Sequence, residues 1–396
     1  MSSRPRLVHV TTTDISLALL LGPQLRAFAA AGYDVTGMSA DGPYVAELRD
    51  AGIDHVALRH ATRASAPWRD MRALGELCQC FRRLAPDIVH THNPKPGVYG
   101  RLAGRAARVP AVVNTVHGLY ALPSDRWAKR AFVYGLERLA AACSDGELVQ
   151  NPEDLEVLAR LGVPQDRLHL LGNGIDLERF DPARTGDEVG ARVRRELGVG
   201  PDEVVVGAVG RLVEEKGYRE LMAAAVELRA RCPQVRIVVA GPTDADKADA
   251  LSEKDQERGR REAGVVFLGL RRDVESLYAA MDVYVLASYR EGFPRSAMEA
   301  AAMGLPIVAT DIRGCRQVVD TGSTGLLVPP RDSGALAAAI VTLASDEPLR
   351  RKFGQAGRKK ALREFDQRQV IDITLGLYER VLHSARRRGA LVGGRG

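Results

Sequence analysis

Short apolar runs alternate along the chain with longer stretches whose apolar residues recur at helical spacing. In the first half, the runs predicted to be strands are Leu7–Val10, Val35–Ser39, His55–Leu58, Ile88–Thr91, Val112–Val116, Glu147–Gln150 and Leu168–Leu171. Several are apolar without interruption, as expected of strands buried on both faces of a parallel sheet. The stretches predicted to be helices are Leu17–Ala31, Met71–Leu84, Gly97–Arg108 and Arg126–Ala142. This alternation predicts a doubly wound α/β sheet.

The same alternation begins again after residue 200. The second set of predicted strands is Val204–Val209, Val235–Ala240, Val265–Leu268, Val283–Ala287, Ile307–Thr310 and Leu326–Val328. The polar segment 181–200 is predicted to be a connector. We therefore expect two Rossmann-like α/β domains that face a cleft, at residues 1–180 and 201–365, followed by a helix at 366–388 that returns to the first domain. Ligands of such sheets bind outside the carboxyl ends of the strands.

Composition narrows the functional classes. The 396 residues are 45% hydrophobic and 27% charged, with a formal net charge of +6. The positive charge is spread along the chain and aromatic residues are sparse, so nucleic acid is not expected as a partner. The odd number of cysteines, five at irregular spacing, indicates free thiols in a reducing compartment. The short apolar run Leu17–Leu21 is followed by Gly22-Pro23, which argues against a signal peptide. A cytoplasmic location is expected, with contact to the inner face of the membrane left open.

The segment with the clearest chemistry follows the predicted strand Val283–Ala287. A loop leads into a helix that is expected to begin near Pro294, a favoured residue of a first helical turn. The amides of Gly292 and Phe293 lie at this helix N-terminus, which is a natural place for a diphosphate. The carboxylates of Glu291 and Glu299 lie on different turns and suit separate sugar hydroxyls. The alternative is that both are solvated charges, but Glu299 precedes an apolar run and is expected to have a partner.

This segment resembles the Glu-x7-Glu signature of the retaining family 4 glycosyltransferases, which have the two-domain GT-B fold. The resemblance covers nearly the whole chain. Its other motifs are Gly210-Arg211-Leu212 with Lys216-Gly217, Asn173-Gly174-Ile175-Asp176 with Phe180, Asp282 through Ser288, Gly304 with Pro306, and Thr324 through Val328.

The resemblance implies a role for each residue of the donor site. Arg211 and Lys216 neutralise the donor diphosphate, although as an isolated pair they would be read as surface charges. Glu299 binds the ribose hydroxyls of the nucleotide, and Glu291 contacts the donor sugar near its 3-OH. The amides of Gly292 and Phe293 lie close to the phosphate. Because these groups supply the positive charge that a departing diphosphate needs, no metal and no cofactor are expected, and a UDP-sugar is a substrate.

Two segments of the first half carry a second resemblance. Thr91 to Gly97 and Asn114 to Leu119 resemble the bacterial branch that extends polyprenyl-diphosphate-linked oligosaccharides. This resemblance implies that His117 lies near the donor sugar as a catalytic residue. It also implies that three residues face the acceptor or its diphosphate, namely His92, Asn93 and Lys95. By contrast, His90 is expected to be a strand-end residue that is satisfied by the backbone.

The loop after the first strand departs from the family pattern. Many members have a Gly-Gly pair there, close to the donor phosphate, whereas this chain has Thr11 through Ser16 without a glycine. The hydroxyls of Thr13 and Ser16 are therefore candidates for binding an anion or the acceptor.

Two other features have an open interpretation. Asp244-Ala245-Asp246 matches the Asp-x-Asp of metal-dependent transferases but is predicted to be a solvated loop. The helices at 97–108 and 126–142 combine basic and aromatic residues, which suits an anionic lipid surface or an ordinary surface helix. These residues are Arg101, Arg105, Arg108, Arg126, Lys129, Arg130 and Arg138, with Trp127, Phe132 and Tyr134.

The sequence therefore predicts a retaining transferase that moves a hexose or an N-acetylhexosamine from a UDP-sugar. The expected acceptor is a lipid-diphosphate-linked saccharide of cell-envelope polysaccharide assembly. One alternative is a soluble transferase that acts on a small natural product or an aminocyclitol. Two others are a non-catalytic scaffold that binds a nucleotide sugar, and an epimerase that acts on the free UDP-sugar.

Overall fold

The computed structural model describes residues 4–62, 67–92, 94–121, 125–243 and 249–393. The chain forms two compact units. The first comprises residues 1–172 and 368–396, and the second comprises residues 173–367. Asn93 and the Asp244-Ala245-Asp246 segment, both singled out from the sequence, lie outside the described residues.

The described part of the first unit contains a parallel sheet of seven strands in the order β3-β2-β1-β4-β5-β6-β7. The strands are β1 Arg6–Thr13, β2 Asp34–Ala40, β3 Asp54–Ala57, β4 Ile88–His92, β5 Ala111–Val116, β6 Gly146–Val149 and β7 Leu168–Leu170. The α-helices between them are α1 Gly22–Ala30, α2 Val45–Asp50, α3 Pro67–Leu84, α4 Lys95–Ala106, α5 Trp127–Ala141 and α6 Pro152–Arg160. A π-helical segment, Ser16–Leu21, precedes α1, and a 3-10 turn, Gln165–Arg167, precedes β7.

The described part of the second unit contains a parallel sheet of six strands in the order β10-β9-β8-β11-β12-β13. These are β8 Val204–Val209, β9 Val235–Ala240, β10 Val266–Phe267, β11 Val283–Leu286, β12 Ile307–Thr310 and β13 Gly325–Val328. The α-helices are α7 Pro182–Thr185, α8 Asp187–Glu196, α9 Tyr218–Arg231, α10 Glu253–Arg258, α11 Val274–Ala280, α12 Arg295–Ala302, α13 Cys315–Val318, α14 Ser333–Ser345 and α15 Glu347–Glu364. A 3-10 turn, Glu214–Lys216, precedes α9, and a π-helical segment, Gly259–Ala263, follows α10.

Each sheet reverses its winding between two central strands. In the first sheet β1 and β4 are neighbours, and in the second sheet β8 and β11 are neighbours. In open α/β sheets the crevice outside the carboxyl ends of such strands is where ligands bind. The two Rossmann-like sheets predicted from the sequence are therefore confirmed, and each offers a binding edge.

The prediction that residues 181–200 form a connector between the two domains is wrong. Helices α7 and α8 occupy it, and they belong to the second unit, which begins at Asn173. Helix α8 packs on α11 so closely that a Cβ added to Gly190 would lie 2.4 Å from the carbonyl oxygen of Ala279. Ile175 also forms a bridge with Asp366 inside this unit. The segment 173–200 is thus part of the second unit.

The last helix, α16 Gln367–Gly393, contributes to the core of the first unit. Leu377 and Tyr378 are buried in a cluster with Leu7 of β1 and Phe28 of α1. A Cβ added to Gly146 of β6 would lie 3.0 Å from Leu377. Helix α16 thus covers one face of the first sheet.

The five cysteines are free thiols, as their number and spacing predict. Cys232 and Cys315 are buried, and the other three are half-buried. Within the described ranges, the helices are too short or too polar to cross a bilayer.

Candidate functional site

An ion pair joins two loops at the carboxyl edge of the second sheet. Lys216 lies in the turn after β8, and its Nζ donates to Oε1 of Glu291, in the loop after β11, at 2.6 Å. The hydroxyl of Ser288 donates to the same oxygen at 2.7 Å. Both side chains are mostly buried, with 19% of Lys216 and 12% of Glu291 exposed. Both of these bonds end on Oε1 of Glu291.

Close backbone packing holds the two loops together. Gly217, which follows Lys216, has φ of +70°, and a Cβ there would lie 2.0 Å from the carbonyl oxygen of Ala287 at the end of β11. Glycine is therefore required by both conformation and space. A Cβ on Gly314, after β12, would lie 2.6 Å from the carbonyl oxygen of Glu291. The position of the ion pair follows from these contacts.

Glu299 lies in the second turn of α12 and has a hydrogen-bond partner from another helix. The hydroxyl of Tyr278, on α11, donates to Oε2 of Glu299 at 3.0 Å and also contacts the carbonyl of Ser296 at 3.1 Å. Burial raises the pKa of the Glu299 carboxyl, while Arg295 and the Tyr278 hydroxyl oppose that rise. The expectation that this carboxylate has a partner is met, although the sequence did not identify Tyr278.

The remaining donor-site candidates lie beside this pair. Arg211 lies in the turn after β8, and its guanidinium is 3.5 Å from Oε1 of Glu215. Gly292 and Phe293 precede α12, which begins at Arg295 with Pro294 as its N-cap. The carbonyl of Phe293 accepts a hydrogen bond from Asn173 at 3.0 Å. The six candidates that the sequence singled out for a donor thus lie in the loops that follow β8 and β11 and in the first two turns of α12.

Four histidine rings form a hydrogen-bonded chain in the first unit. His92 Nδ1 and His117 Nε2 are 2.9 Å apart, and His92 Nε2 and His9 Nδ1 are 3.0 Å apart. Nε2 of His9 lies 3.2 Å from the hydroxyl of Tyr378, which lies 2.5 Å from Nδ1 of His90. Strand register explains the grouping, because His9 pairs with His90 and residues 90 and 92 lie on the same face of β4.

Burial keeps these rings neutral. It lowers the pKa of His9 to about 3 and that of His117 to about 4, and it lowers the pKa values of His90 and His92 well below their usual range. His117 also has a side-chain hydrogen bond with Gln150. His9, His90 and His92 are buried, whereas His117 is partly exposed at the end of β5. His117 is therefore the ring that can meet a ligand.

The expectation that His90 is satisfied by the backbone is wrong. Its partners are side chains, because Nε2 contacts the hydroxyl of Thr115 at 2.7 Å and Nδ1 contacts Tyr378. His92, predicted to face an acceptor, is only 4% exposed, and both of its ring nitrogens are bonded to other histidines. The sequence analysis missed His9, for which the pairing of β1 with β4 is the signal, and Tyr378, which comes from the distant helix α16.

The other acceptor-side candidates lie at strand ends of the first unit. Lys95 begins α4, and its Nζ forms an ion pair with Asp70 at 2.7 Å. Thr13 is the last residue of β1 and Ser16 begins the π-helical segment that follows, and their hydroxyl oxygens are 3.1 Å apart. Their contact with an acceptor stays a prediction.

Arg101, counted among the basic surface residues from the sequence, is a core residue. Its side chain is fully buried and forms ion pairs with Glu137 at 2.6 Å and Glu147 at 2.7 Å. Asn114 donates to the second oxygen of Glu147 at 2.8 Å. The guanidinium fork thus joins α4 to α5 and β6, and this residue contributes nothing to a surface charge.

Two family models match successive parts of the chain. The model of glycosyltransferase family 4 matches residues 24–179. The model described as glycosyl transferases group 1 matches residues 191–360. The first matched range contains His90, His92 and His117 of the histidine chain, and the second contains the Lys216–Glu291 pair.

Individual relatives agree with these models. The chain is 31% identical over 78% of its length to the Escherichia coli UDP-Gal:alpha-D-GlcNAc-diphosphoundecaprenol alpha-1,3-galactosyltransferase, of which it covers 79%. It is 34% identical over 68% of its length to the D-inositol 3-phosphate glycosyltransferase of Nocardia farcinica, of which it covers 61%. The crystal structure of Anabaena Alr3699/HepE in complex with UDP and glucose has the same fold, with a TM-score of 0.78, 22% identity, and coverage of 95% of this chain and 99% of that one. The chain therefore belongs to the family 4 glycosyltransferases, and its two Rossmann-like units have the GT-B fold.

Proposed function

We propose that this enzyme transfers a hexose or an N-acetylhexosamine from a UDP-sugar to a lipid-diphosphate-linked saccharide, with retention of the anomeric configuration, in cell-envelope polysaccharide assembly. The observation that carries the proposal is the Lys216–Glu291 pair at the carboxyl edge of the second sheet, 2.6 Å apart. The Escherichia coli relative supports the donor and the acceptor, since its name specifies a UDP-sugar and a diphosphoundecaprenol-linked sugar.

The donor site has the charges that a departing nucleoside diphosphate needs. Arg211 and Lys216 are proposed to bind the diphosphate oxygens, with the amides of Gly292 and Phe293 beside them. Positive charge aimed at the leaving group stabilises the transition state without a metal ion. Oε2 of Glu291 is proposed to accept a hydrogen bond from the sugar 3-OH.

Glu299 is proposed to bind the nucleoside end of the donor. Its carboxylate can accept bonds from the two ribose hydroxyls, while the Tyr278 hydroxyl fixes its orientation at 3.0 Å. A carboxylate that is partly buried and oriented by a second side chain discriminates against a sugar that lacks those hydroxyls.

Retention is proposed to follow from attack on the face that the leaving group occupies. The bond between the anomeric carbon and the diphosphate oxygen breaks, and the acceptor oxygen forms its new bond on the same face. The acceptor proton passes to the departing phosphate oxygen, so no protein nucleophile is required. His117, the partly exposed ring of the histidine chain, is proposed to bind the donor sugar, and Thr13, Ser16 and Lys95 are proposed to bind the acceptor side.

A basic and apolar surface supports a lipid-linked acceptor. Trp127 and Phe132 on α5 are 81% and 68% exposed, and Trp68 at the start of α3 is 80% exposed. The exposed basic residues of α3, of α5 and of the N-cap of α5 are Arg69, Arg72, Arg82, Arg83, Arg126, Lys129 and Arg138. Aromatic side chains beside Lys and Arg are the composition of helices that rest on anionic bilayers. This surface, the α3–α5 patch, is proposed to dock on anionic lipid.

Vesicle sedimentation tests the docking. The enzyme is expected to sediment with vesicles that contain phosphatidylglycerol and to remain in solution with pure phosphatidylcholine vesicles. The double substitution Trp127→Ser with Phe132→Ser should abolish sedimentation. The matched control is Leu362→Ser, because Leu362 is 50% exposed on α15 of the other unit. Equal sedimentation of the two variants would contradict the assignment of the patch.

A small soluble acceptor is the second candidate. It is supported by the similarity to the Nocardia farcinica enzyme, whose name specifies D-inositol 3-phosphate. The two candidates differ in one assay with the same UDP-sugar. Transfer to an undecaprenyl-diphosphate-linked monosaccharide supports the proposal, and transfer to an inositol phosphate or an aminocyclitol, with none to the lipid, replaces it.

A hydrolysis assay can identify the sugar donor before the acceptor is known. Slow hydrolysis of a panel of UDP-, GDP- and dTDP-sugars should release UDP from one UDP-sugar and little from the others. Tight nucleotide binding without hydrolysis or transfer would favour the scaffold alternative, and a changed free UDP-sugar would favour the epimerase.

A further inference from the structure

Loop 288–293, which follows β11 and contains three of the donor-site candidates, is bonded to two neighbouring elements through its backbone. The hydroxyl of Thr310, at the end of β12, donates to the carbonyl of Ser288 at 2.5 Å. The amide of Tyr289 donates to the carbonyl of Glu215, in the turn after β8, at 2.8 Å. These two bonds fix the backbone where the loop begins.

The side chain of Tyr289 ties the same loop to the first turn of α9. Its hydroxyl lies 2.6 Å and 2.5 Å from the two carboxylate oxygens of Glu220. Burial and the hydrogen bond to Glu220 raise the pKa of the Tyr289 phenol, so the phenol stays protonated and donates at neutral pH. Within the ranges that the structure describes, Tyr289 is the hydrogen-bond partner of the Glu220 side chain, and no other is found. The carboxylate therefore acts on the loop through this tyrosine.

Arg331, in the turn before α14, covers the ring of Tyr289. Its guanidinium carbon lies 4.0 Å from the ring centroid, a distance at which a cation is attracted to the face of the ring. The backbone of Arg331 has a φ of +62°, the left-handed region that glycine adopts without strain and other residues adopt at a cost. Because the residue is exposed, its side chain gains little from burial. The contact with Tyr289 is thus the evident reason for an arginine at a strained position.

We infer that Tyr289 is a positioning residue of the donor site, which Glu220 and Arg331 hold in one place. Through it the loop keeps Glu291 in a single orientation toward the donor, and the inference rests on the role proposed for Glu291. A small displacement of a group that contacts the reacting sugar lowers the rate strongly. Loosening of the loop should therefore reduce kcat more than it reduces the affinity for free UDP, which lacks the sugar.

Removal of the phenol hydroxyl tests the bond to α9. Tyr289→Phe keeps the ring and should lower kcat for UDP-sugar hydrolysis about tenfold, the effect of one hydrogen bond to a charged group, with UDP affinity nearly unchanged. Glu220→Leu should have the same effect, and the double variant should be no slower than either single variant, because both remove one bond. Glu220→Gln should restore kcat, because its amide oxygen still accepts from the phenol. Additive losses in the double variant would overturn the inference.

Arg331→Gly separates positioning from stability. Glycine adopts a φ of +62° without strain, so the unfolding temperature should equal or exceed that of the parent, whereas kcat should fall severalfold. Ala85→Gly is the matched control, since Ala85 is exposed after α3 and has a φ of +43°. It should have the kcat of the parent. A parent-like kcat in Arg331→Gly, or a fall in both kcat and unfolding temperature, would overturn the inference.

Hydrogen exchange of the loop amides provides a readout that needs no turnover. The amides of residues 288–293 should lose protection in Tyr289→Phe and in Glu220→Leu, and they should keep it in Glu220→Gln. Should Glu291→Gln leave kcat intact, the proposed role of Glu291 fails while the exchange result still stands. Equal protection in the parent and in Tyr289→Phe, or lost protection with a parent-like kcat, would overturn the positioning role of Tyr289.

Discussion

The Nζ of Lys216 lies 2.6 Å from Oε1 of Glu291, which ties the turn after β8 to the loop after β11 at the edge of the second sheet. Lys216 is thus held in place by the fold, and the diphosphate-binding role proposed for it would require little rearrangement of its charge. Glu291 in turn is oriented by Lys216 and by Ser288, whose hydroxyl lies 2.7 Å from the same oxygen.

Removal of the lysine charge should impair catalysis while leaving the fold intact. Lys216→Ala is expected to lower kcat/KM for the donor about 10²- to 10³-fold, the usual effect of losing one preorganised group. UDP release measures the rate, and thermal unfolding checks the fold. Lys352→Ala, an exposed lysine on α15, is the control and should behave as the parent. Near-normal turnover of Lys216→Ala would remove Lys216 from the site.

Gly217→Ala should lower thermal stability and donor affinity far more than the substitution of another glycine with a similar φ angle. Its Cβ would lie 2.0 Å from the carbonyl oxygen of Ala287, and φ is +70°. Gly264 has φ of +67° with open space around it, so Gly264→Ala isolates the backbone strain, about 1 kcal/mol. Thermal stability should fall slightly in Gly264→Ala and much further in Gly217→Ala, and donor affinity should fall only in Gly217→Ala. Equal losses in the two variants would mean that the loop contact is unimportant.

Arg101 should contribute to the free energy of unfolding although its side chain is charged. Arg101→Met leaves Glu137 and Glu147 buried without their partner and should lower the free energy of unfolding by about 3–5 kcal/mol. The triple variant with Glu137→Gln and Glu147→Gln should recover much of that loss, because no unpaired charge remains. Urea unfolding measures both. A loss below about 1 kcal/mol in the single variant would contradict the buried pairing.

Acid should destabilise the first unit through its buried histidines. Below the usual histidine pKa of 6.5 the unfolded chain binds protons that folded His9, with its pKa lowered to about 3, does not bind. The stability that this histidine contributes is therefore complete above pH 6.5 and is lost as the pH falls toward 3. The slope approaches 1.4 kcal/mol per pH unit for each such residue.

A variant comparison isolates that slope from the carboxylates. His9→Asn should reduce the dependence of unfolding free energy on pH between about 6 and 4 by close to one proton. His383→Gln, at an exposed position on α16, should leave the slope as it is in the parent. The same slope in both variants would show that His9 is protonated in the folded enzyme.

The strands were predictable because their apolar runs are buried on both faces, as in Val204–Val209. The helix Asp187–Glu196 was missed because its buried residues are only Gly190 and Val193. The donor-site candidates lie in the loops that follow β8 and β11 and in the first two turns of α12, so local pattern and resemblance found them. The histidine chain joins residues as distant as His9 and Tyr378, 369 positions apart, and no local pattern encodes such a contact.

The proposed transfer from a UDP-sugar to a lipid-linked saccharide, with retention, is tested by the structure of the product. Purified enzyme is incubated with the UDP-sugar found by the hydrolysis panel and an undecaprenyl-diphosphate-linked monosaccharide, and the product is analysed by mass spectrometry and proton NMR. We expect UDP release, one added hexose or N-acetylhexosamine on the lipid-linked acceptor, and an anomeric configuration identical to that of the donor. An inverted linkage, or transfer only from a donor other than a UDP-sugar, would contradict it.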